Sequence, residues 1–230
     1  MKKYIQESSD KMKAEYKEYY LYDKPVYVIK DLSKEINLEK ALKTIEYRLP
    51  QYFTNNFENI YVGDFSKFAD TANINAMYKD GTIYVSNIQD NEEDMIDDIV
   101  HEIAHSLEKN NYEEIYGDGM LEKEFLAKRK YLYHMLPSED RVNMVYFLNP
   151  SYDKKFDMYL YKDVGYDALR SLTSELFYSP YAITALKEYW ANGFEHYFLS
   201  DRLKLKDISP ILYNKIKDLI SLKREKYNEI

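Results

Sequence analysis

His101-Glu102-Ile103-Ala104-His105 is the one stretch of this chain in which residue type and spacing agree on a chemistry. Residues four apart on an α-helix lie on one face, so His101 and His105 can grip one metal ion together. Glu102 stands between them, angled to reach a water on that metal. This is the HExxH pattern, in which two imidazoles hold Zn²⁺ and the carboxylate acts as general base. The chain has only four histidines, His101, His105, His134 and His196, so the pairing is rarely met by accident.

The flanking residues read as a helix built to carry that motif. Asp90, with Glu93 three residues on, is a capping-box-like start, and the helix runs to about Lys109. Ile96, Ile99, Val100, Ile103 and Leu107 recur at helical spacing as a core stripe, while Asp94, Asp98, His101 and His105 fall on the other side.

Catalytic zinc usually has three protein ligands and one open position for water. The chain contains no cysteine, so the third ligand must be a histidine or a carboxylate. The metzincin pattern is excluded, because Asn111 stands at its histidine position and Glu108 at its glycine. Glu122 and Glu124 lie near the spacing used by thermolysin-like enzymes. Their neighbours, including Lys128-Arg129-Lys130, read as a solvated face. Glu188 is the better candidate, in Leu186-Lys187-Glu188-Tyr189-Trp190-Ala191-Asn192-Gly193-Phe194. It is set among aromatics on a helix, and Ala191 and Gly193 permit another helix to approach closely. On its surroundings alone Glu188 is either a ligand or an ordinary exposed helix glutamate.

The two segments together resemble the catalytic core of the anthrax lethal factor type of zinc metallopeptidase, to which the clostridial Pro-Pro endopeptidases are related. The match covers His101–His105 and Tyr181–Phe194. The resemblance implies a gluzincin, with Glu188 as third zinc ligand and Tyr181, seven residues before it, assisting catalysis. On a continuous helix that spacing places Tyr181 and Glu188 on one stripe. The chain departs from lethal factor in two ways. A longer gap separates His105 from Glu188, so Asp118–Phe177 reads as an insertion. Asn192 stands where lethal factor has a second glutamate. Asp98, Asn192 and Glu195 are candidates for hydrogen bonds that orient the ligands.

The elements that must position these residues read as α+β. Residues 1–24 are charged and tyrosine-rich and suggest a helical arm; residues 25–230 form a single zincin-like domain. Within it, 25–90 is a small mixed sheet with a packed helix, and 91–230 is mainly helical. Pro25–Lys30 and Asn59–Gly63 have strand composition, Leu38–Tyr47 has helical periodicity, and Asp80-Gly81 marks a hairpin between Asn75–Tyr78 and Thr82–Ser86. Beyond Asp90 only helices are expected: Asp118–Leu136, a shorter one capped by Ser138, Ala168–Phe177, one opened by Ser179-Pro180 and running to Leu199, and one opened by Ser209-Pro210. Thr82, Ile83, Tyr84 and Val85 are the expected edge strand against which an extended substrate would pair.

Composition bounds the function further. A hydrophobic fraction of 45% supports a real core, and 26 tyrosines supply rings to bury with wet hydroxyls. A net charge of −8 disfavours nucleic acid and weakly favours basic partners. Tyr4–Asp10 lacks the apolar core of a signal peptide, and no run reaches transmembrane length, so a soluble chain is expected. The expected activity is that of a zinc endopeptidase with one Zn²⁺ per chain and a peptide or protein substrate. A zinc-binding module without turnover and a zinc hydrolase of non-peptide amides are the competing readings.

Overall fold

Alternation of apolar and polar residues organises the N-terminal part into a sheet. The computed structural model describes residues 16–65 and 75–228. Strands β1 (Lys17–Leu21) and β2 (Lys24–Val28) are followed by helix α1 (Leu38–Arg48). Strands β3 (Asn59–Gly63), β4 (Ala76–Lys79) and β5 (Thr82–Ser86) come next, and then helix α2 (Glu92–Glu108). The sheet order is β1-β2-β3-β5-β4, parallel at β2/β3 and β3/β5 and antiparallel at both outer pairs. Val26, Val28, Ile60, Val62, Ile83 and Val85 are buried on one face. Tyr27, Tyr61 and Tyr84 are aligned by register on the other, with ring centroids 5.3 and 5.9 Å apart. Asp80 and Gly81 both have positive φ (49° and 83°), as a tight two-residue hairpin demands, so the Asp-Gly signal is realised.

Lys17–Leu21 is therefore strand, paired along its length with β2, and not part of a helical arm. Its consecutive residues Tyr19 and Tyr20 fall on opposite faces of the strand, an arrangement that a search for helical periodicity passes over. The first part of the expected arm, 1–15, lies outside the described residues.

Helix α1 buries Leu38, Ala41, Leu42 and Ile45 and is capped by Asn37, whose side chain accepts from Lys40 N–H. Helix α2 starts one residue later than a cap at Asp90 would place it. Asn91 Oδ1 accepts from Asp94 N–H at 2.9 Å and does the capping. Glu92, Glu93 and Asp94 then fill its first turn, where the helix dipole favours negative charge. Met95, Ile96, Ile99, Val100, Ile103, Ala104 and Leu107 are buried as one stripe. Each large aliphatic side chain so placed contributes about 1.5–3 kcal/mol. Glu92 also accepts from the Asn37 N–H and the Lys40 ammonium, at 3.2 and 2.6 Å, tying α2 to the start of α1.

The chain divides into two compact units after Leu107. Among its described residues the second unit has helices joined by loops and no strand. It contains α3 (Tyr112–Tyr116), α4 (Met120–Met135), α5 (Met144–Leu148), α6 (Lys154–Met158), a π-helical turn at Tyr159–Gly165, α7 (Tyr166–Thr173), α8 (Leu186–Leu199), α9 (Arg202–Ile208) and α10 (Pro210–Asn228). Ser138 opens only a 3₁₀ turn; α5 is capped instead by Asn143. The expected helix over Ala168–Phe177 begins at Tyr166 and ends at Thr173.

The core of this unit is aromatic, with Phe125, Phe147, Phe156, Phe177, Trp190 and Phe194 buried. Arg129, expected on a solvated face, is fully buried. Its guanidinium donates to the carbonyls of Asn149, at 2.7 Å, and Tyr146, and lies 4.3 Å from the Phe156 ring centroid. Burial pulls its pKa down to about 9. Among the described residues, no helix is long and apolar enough to cross a membrane.

Candidate metal centre

Helix α2 presents the motif as its spacing dictates. The His101 and His105 rings are 4.9 Å apart between centroids and nearly perpendicular, and both are half-buried. Glu102 is only 7% exposed. Its Oε2 accepts a hydrogen bond from the main-chain N–H of Tyr78 at 2.6 Å. Asp98, on the same side of α2, accepts from Gln89 Nε2 at 3.0 Å. That bond joins the helix to the segment leading into it.

The contact from Tyr78 changes the reading of the sheet. Thr82, Ile83, Tyr84 and Val85 do not lie at an edge: β5 runs between β3 and β4 and pairs with both. Its backbone is committed on both sides, and Ile83 and Val85 are fully buried. The edge beside Glu102 is β4. Asn75 C=O accepts from Ser86 N–H, so the alternation of an antiparallel ladder turns the main chain of Ala76 and Tyr78 outward. The N–H of Tyr78 meets Glu102 there.

Glu188 lies in the first turn of α8, half-buried. The helix does not extend back to Tyr181. Residues Tyr181–Ile183 form a separate 3₁₀ turn, with Ser179 Oγ accepting from Ala182 N–H, and Ala185 is extended (φ −155°, ψ 158°). Tyr181 and Glu188 thus share no helical stripe, and Tyr181 is 42% exposed. Leu186 N–H, an unpaired donor of the first turn by position, is satisfied by Pro150 C=O at 2.8 Å.

A buried polar network sets the roll of α8. Lys128 Nζ donates to Tyr189 Oη (2.6 Å), Ser209 Oγ (2.5 Å) and Leu176 C=O (2.9 Å). Tyr189 Oη donates to Glu124 Oε1 at 2.9 Å, and Glu124 accepts from the N–H groups of Ile211 and Leu212 at the start of α10. Burial lowers the Lys128 pKa to about 8, opposed by the charge of Glu124. Burial, and then the charge of Glu124, pushes the Tyr189 hydroxyl well up. Glu124 is therefore a helix-capping acid inside the fold. Sequence reasoning placed this cluster on a solvated face, because a Lys/Arg run resembles one until its acceptors are known.

Further along α8, Asn192 and Glu195 are buried at 7% and 8% exposure. Glu195 Oε1 lies 3.7 Å from His196 Nε2, and the His196 ring stacks on Tyr178 at 4.0 Å. Gly193 faces Leu212 of α10, which realises the close approach expected of a small residue. Two tyrosines that the sequence did not single out sense Glu188. The Tyr116 hydroxyl is pushed up by burial and then by the charges of Glu108 and Glu188. Tyr152 is pushed up to about 12 by burial, its bond to Asp157 and, more weakly, Glu188.

One ligand atom each from His101, His105 and Glu188 lie within 4.8 Å of one another. Two nitrogens and a carboxylate oxygen could hold a metal ion. Comparison of the chain with protein-family models, with curated proteins and with solved structures returned no match.

Proposed function

We propose that the chain is a zinc-dependent endopeptidase. The observation that carries this reading is the convergence of His101, His105 and Glu188. Two imidazoles and one carboxylate are a donor set of catalytic zinc, with the fourth tetrahedral position left for water. Ligand atoms about 2.1 Å from an ion at tetrahedral angles are about 3.4 Å apart, so small side-chain rotations within the observed separation suffice.

Zinc held there would acidify a bound water and polarise the carbonyl of a substrate. Glu102 takes the proton from the attacking water and returns it to the departing amine. Its hydrogen bond from Tyr78 N–H holds the carboxylate in one orientation for both transfers. An extended peptide added to the outer side of β4 would pair with the main chain of Ala76 and with the Tyr78 carbonyl, which brings its own backbone beside Glu102. Tyr181, 42% exposed, is assigned to the oxyanion or leaving group on the strength of the lethal-factor resemblance. The substrate class is a peptide, with basic sequences favoured weakly by the charge of −8.

The test is zinc content together with cleavage of a peptide library read by mass spectrometry. One zinc per chain and cleavage abolished by chelation support the reading. Absence of stoichiometric zinc refutes it, and zinc without cleavage of any peptide refutes the peptidase assignment.

A further inference from the structure

Glu188 stands in the first turn of α8, where Ala185 holds the N-cap position and has no side-chain oxygen to offer. Its chain neighbour Tyr189 is anchored instead. The Tyr189 ring is 2% exposed and packs on Phe125 and Phe177, with centroids 5.4 and 5.6 Å away. Its hydroxyl accepts from Lys128 Nζ at 2.6 Å and donates to Glu124 Oε1 at 2.9 Å. An ammonium and a carboxylate are thus joined through one phenol, a relay that requires a group able to accept and donate at once.

Tyr189, Gly193 and Tyr197 recur every four residues and so share one side of α8. That side meets α10: Gly193 lies against Leu212, and the Tyr197 ring is 5.5 Å from that of Tyr213. Glu124 accepts from the Leu212 N–H as well as from Tyr189, so one carboxylate holds both helices at this contact. Glu188 stands about 100° round α8 from Tyr189. Side chains reach roughly 5–6 Å from a helix axis, so a roll of about 10° moves a carboxylate by about 1 Å. A ligand set needs its members held within about 0.5 Å.

We propose that Tyr189, Lys128 and Glu124 are positioning residues that fix the roll of α8 and, through it, the metal affinity of Glu188. None of the three is a ligand; they act by where they hold the helix. Removing the Tyr189 hydroxyl breaks the relay, leaves Lys128 and Glu124 each one partner short, and frees the turn that carries Glu188. The inference rests on the zinc reading above.

The experiment measures zinc affinity of the full chain near neutral pH, by competition with a chromophoric chelator. Wild type, Tyr189→Phe and Lys128→Met are compared, with visible spectra of the Co²⁺-substituted proteins recorded alongside. Ile45→Val, a core change in α1 away from this network, controls for lost stability alone. Tyr189→Phe and Lys128→Met should keep the far-ultraviolet circular dichroism of the wild type and one zinc per chain. Each should bind zinc about tenfold more weakly, with altered Co²⁺ bands, while Ile45→Val binds as wild type does. A loss below about threefold in either folded variant, or unchanged Co²⁺ bands, overturns the proposal. Equal weakening in Ile45→Val, or loss of folding in both network variants, overturns it as well, because the network is then purely structural. If the wild type itself binds no zinc, the metal reading fails and this inference with it; tight zinc in every variant refutes this inference alone.

Discussion

The Glu102 carboxylate accepts a hydrogen bond from the Tyr78 main-chain N–H at 2.6 Å. This bond ties the acid of the HExxH motif to the outermost strand of the sheet. A peptide pairing with β4 would run along the same line of main-chain groups. The general base and the substrate's register would then be set by one strand.

Glu102→Gln tests the chemical role. The amide oxygen can still accept from Tyr78 N–H, so the local structure should persist. Turnover of a cleaved peptide should fall by about 10²–10⁴-fold, while the zinc content measured by atomic absorption stays at one per chain. A variant as active as wild type would sink the general-base assignment.

The placement of β4 at the edge is tested with proline. The N–H of Tyr78 points away from β5, so Tyr78→Pro removes no ladder bond. The protein should stay folded by circular dichroism and lose most of its peptidase activity. Tyr84→Pro, in the internal strand β5, should instead cost about 3 kcal/mol or more in urea unfolding. Equal stabilities for the two variants would contradict the strand order.

Gly193 is tested by adding one methyl group. A Cβ at this position would stand 2.7 Å from Leu212 Cγ, and Leu212 is only 1% exposed. Gly193→Ala should destabilise by about 1–3 kcal/mol, measured by thermal or urea unfolding. Combining it with Leu212→Ala should cost less than the sum of the two single changes. Strict additivity would mean that the two residues do not meet.

Lys128 makes a prediction about pH. Burial lowers its folded pKa from 10.5 to about 8, so between these values the unfolded chain binds a proton that the folded chain lacks. Folded stability therefore carries a penalty below about pH 8 that is relieved as pH rises, by at most roughly 3 kcal/mol. Tyr189 works oppositely above pH 10, since its raised pKa keeps a proton that the unfolded chain releases. The window is thus pH 8–10. In urea unfolding of the metal-free protein, wild-type stability should gain about 1–2 kcal/mol relative to Lys128→Met between pH 8 and 9.5. A difference independent of pH would show that Lys128 stays charged in the fold.

What was legible in the sequence is local. The spacing of His101 and His105, the buried stripe from Ile96 to Leu107, the strand Asn59–Gly63 and the Asp80-Gly81 hairpin each depend on residues a few positions apart. Backbone geometry alone converts such spacings into faces and turns. Even there, one neighbour can decide the boundary, as Asn91 does by capping α2 in place of Asp90.

What the sequence by itself determined, then, is a helix carrying the His101/His105 pair on one face, a small sheet ahead of it and helices behind. Only the tertiary structure decided that β5 sits inside the sheet and β4 outside. Hairpin pairing alone does not say which strand will accept a third, and the apolar β5 gains most from being covered on both sides. Only the tertiary structure separated Tyr181 from Glu188 at the extended Ala185, and turned Lys128 and Arg129 inward to acceptors on distant segments. The same holds for Glu188 and the two histidines, whose ligand atoms converge from far apart in the chain. Pairings of this kind depend on loop closure and packing, and no short-range periodicity encodes them.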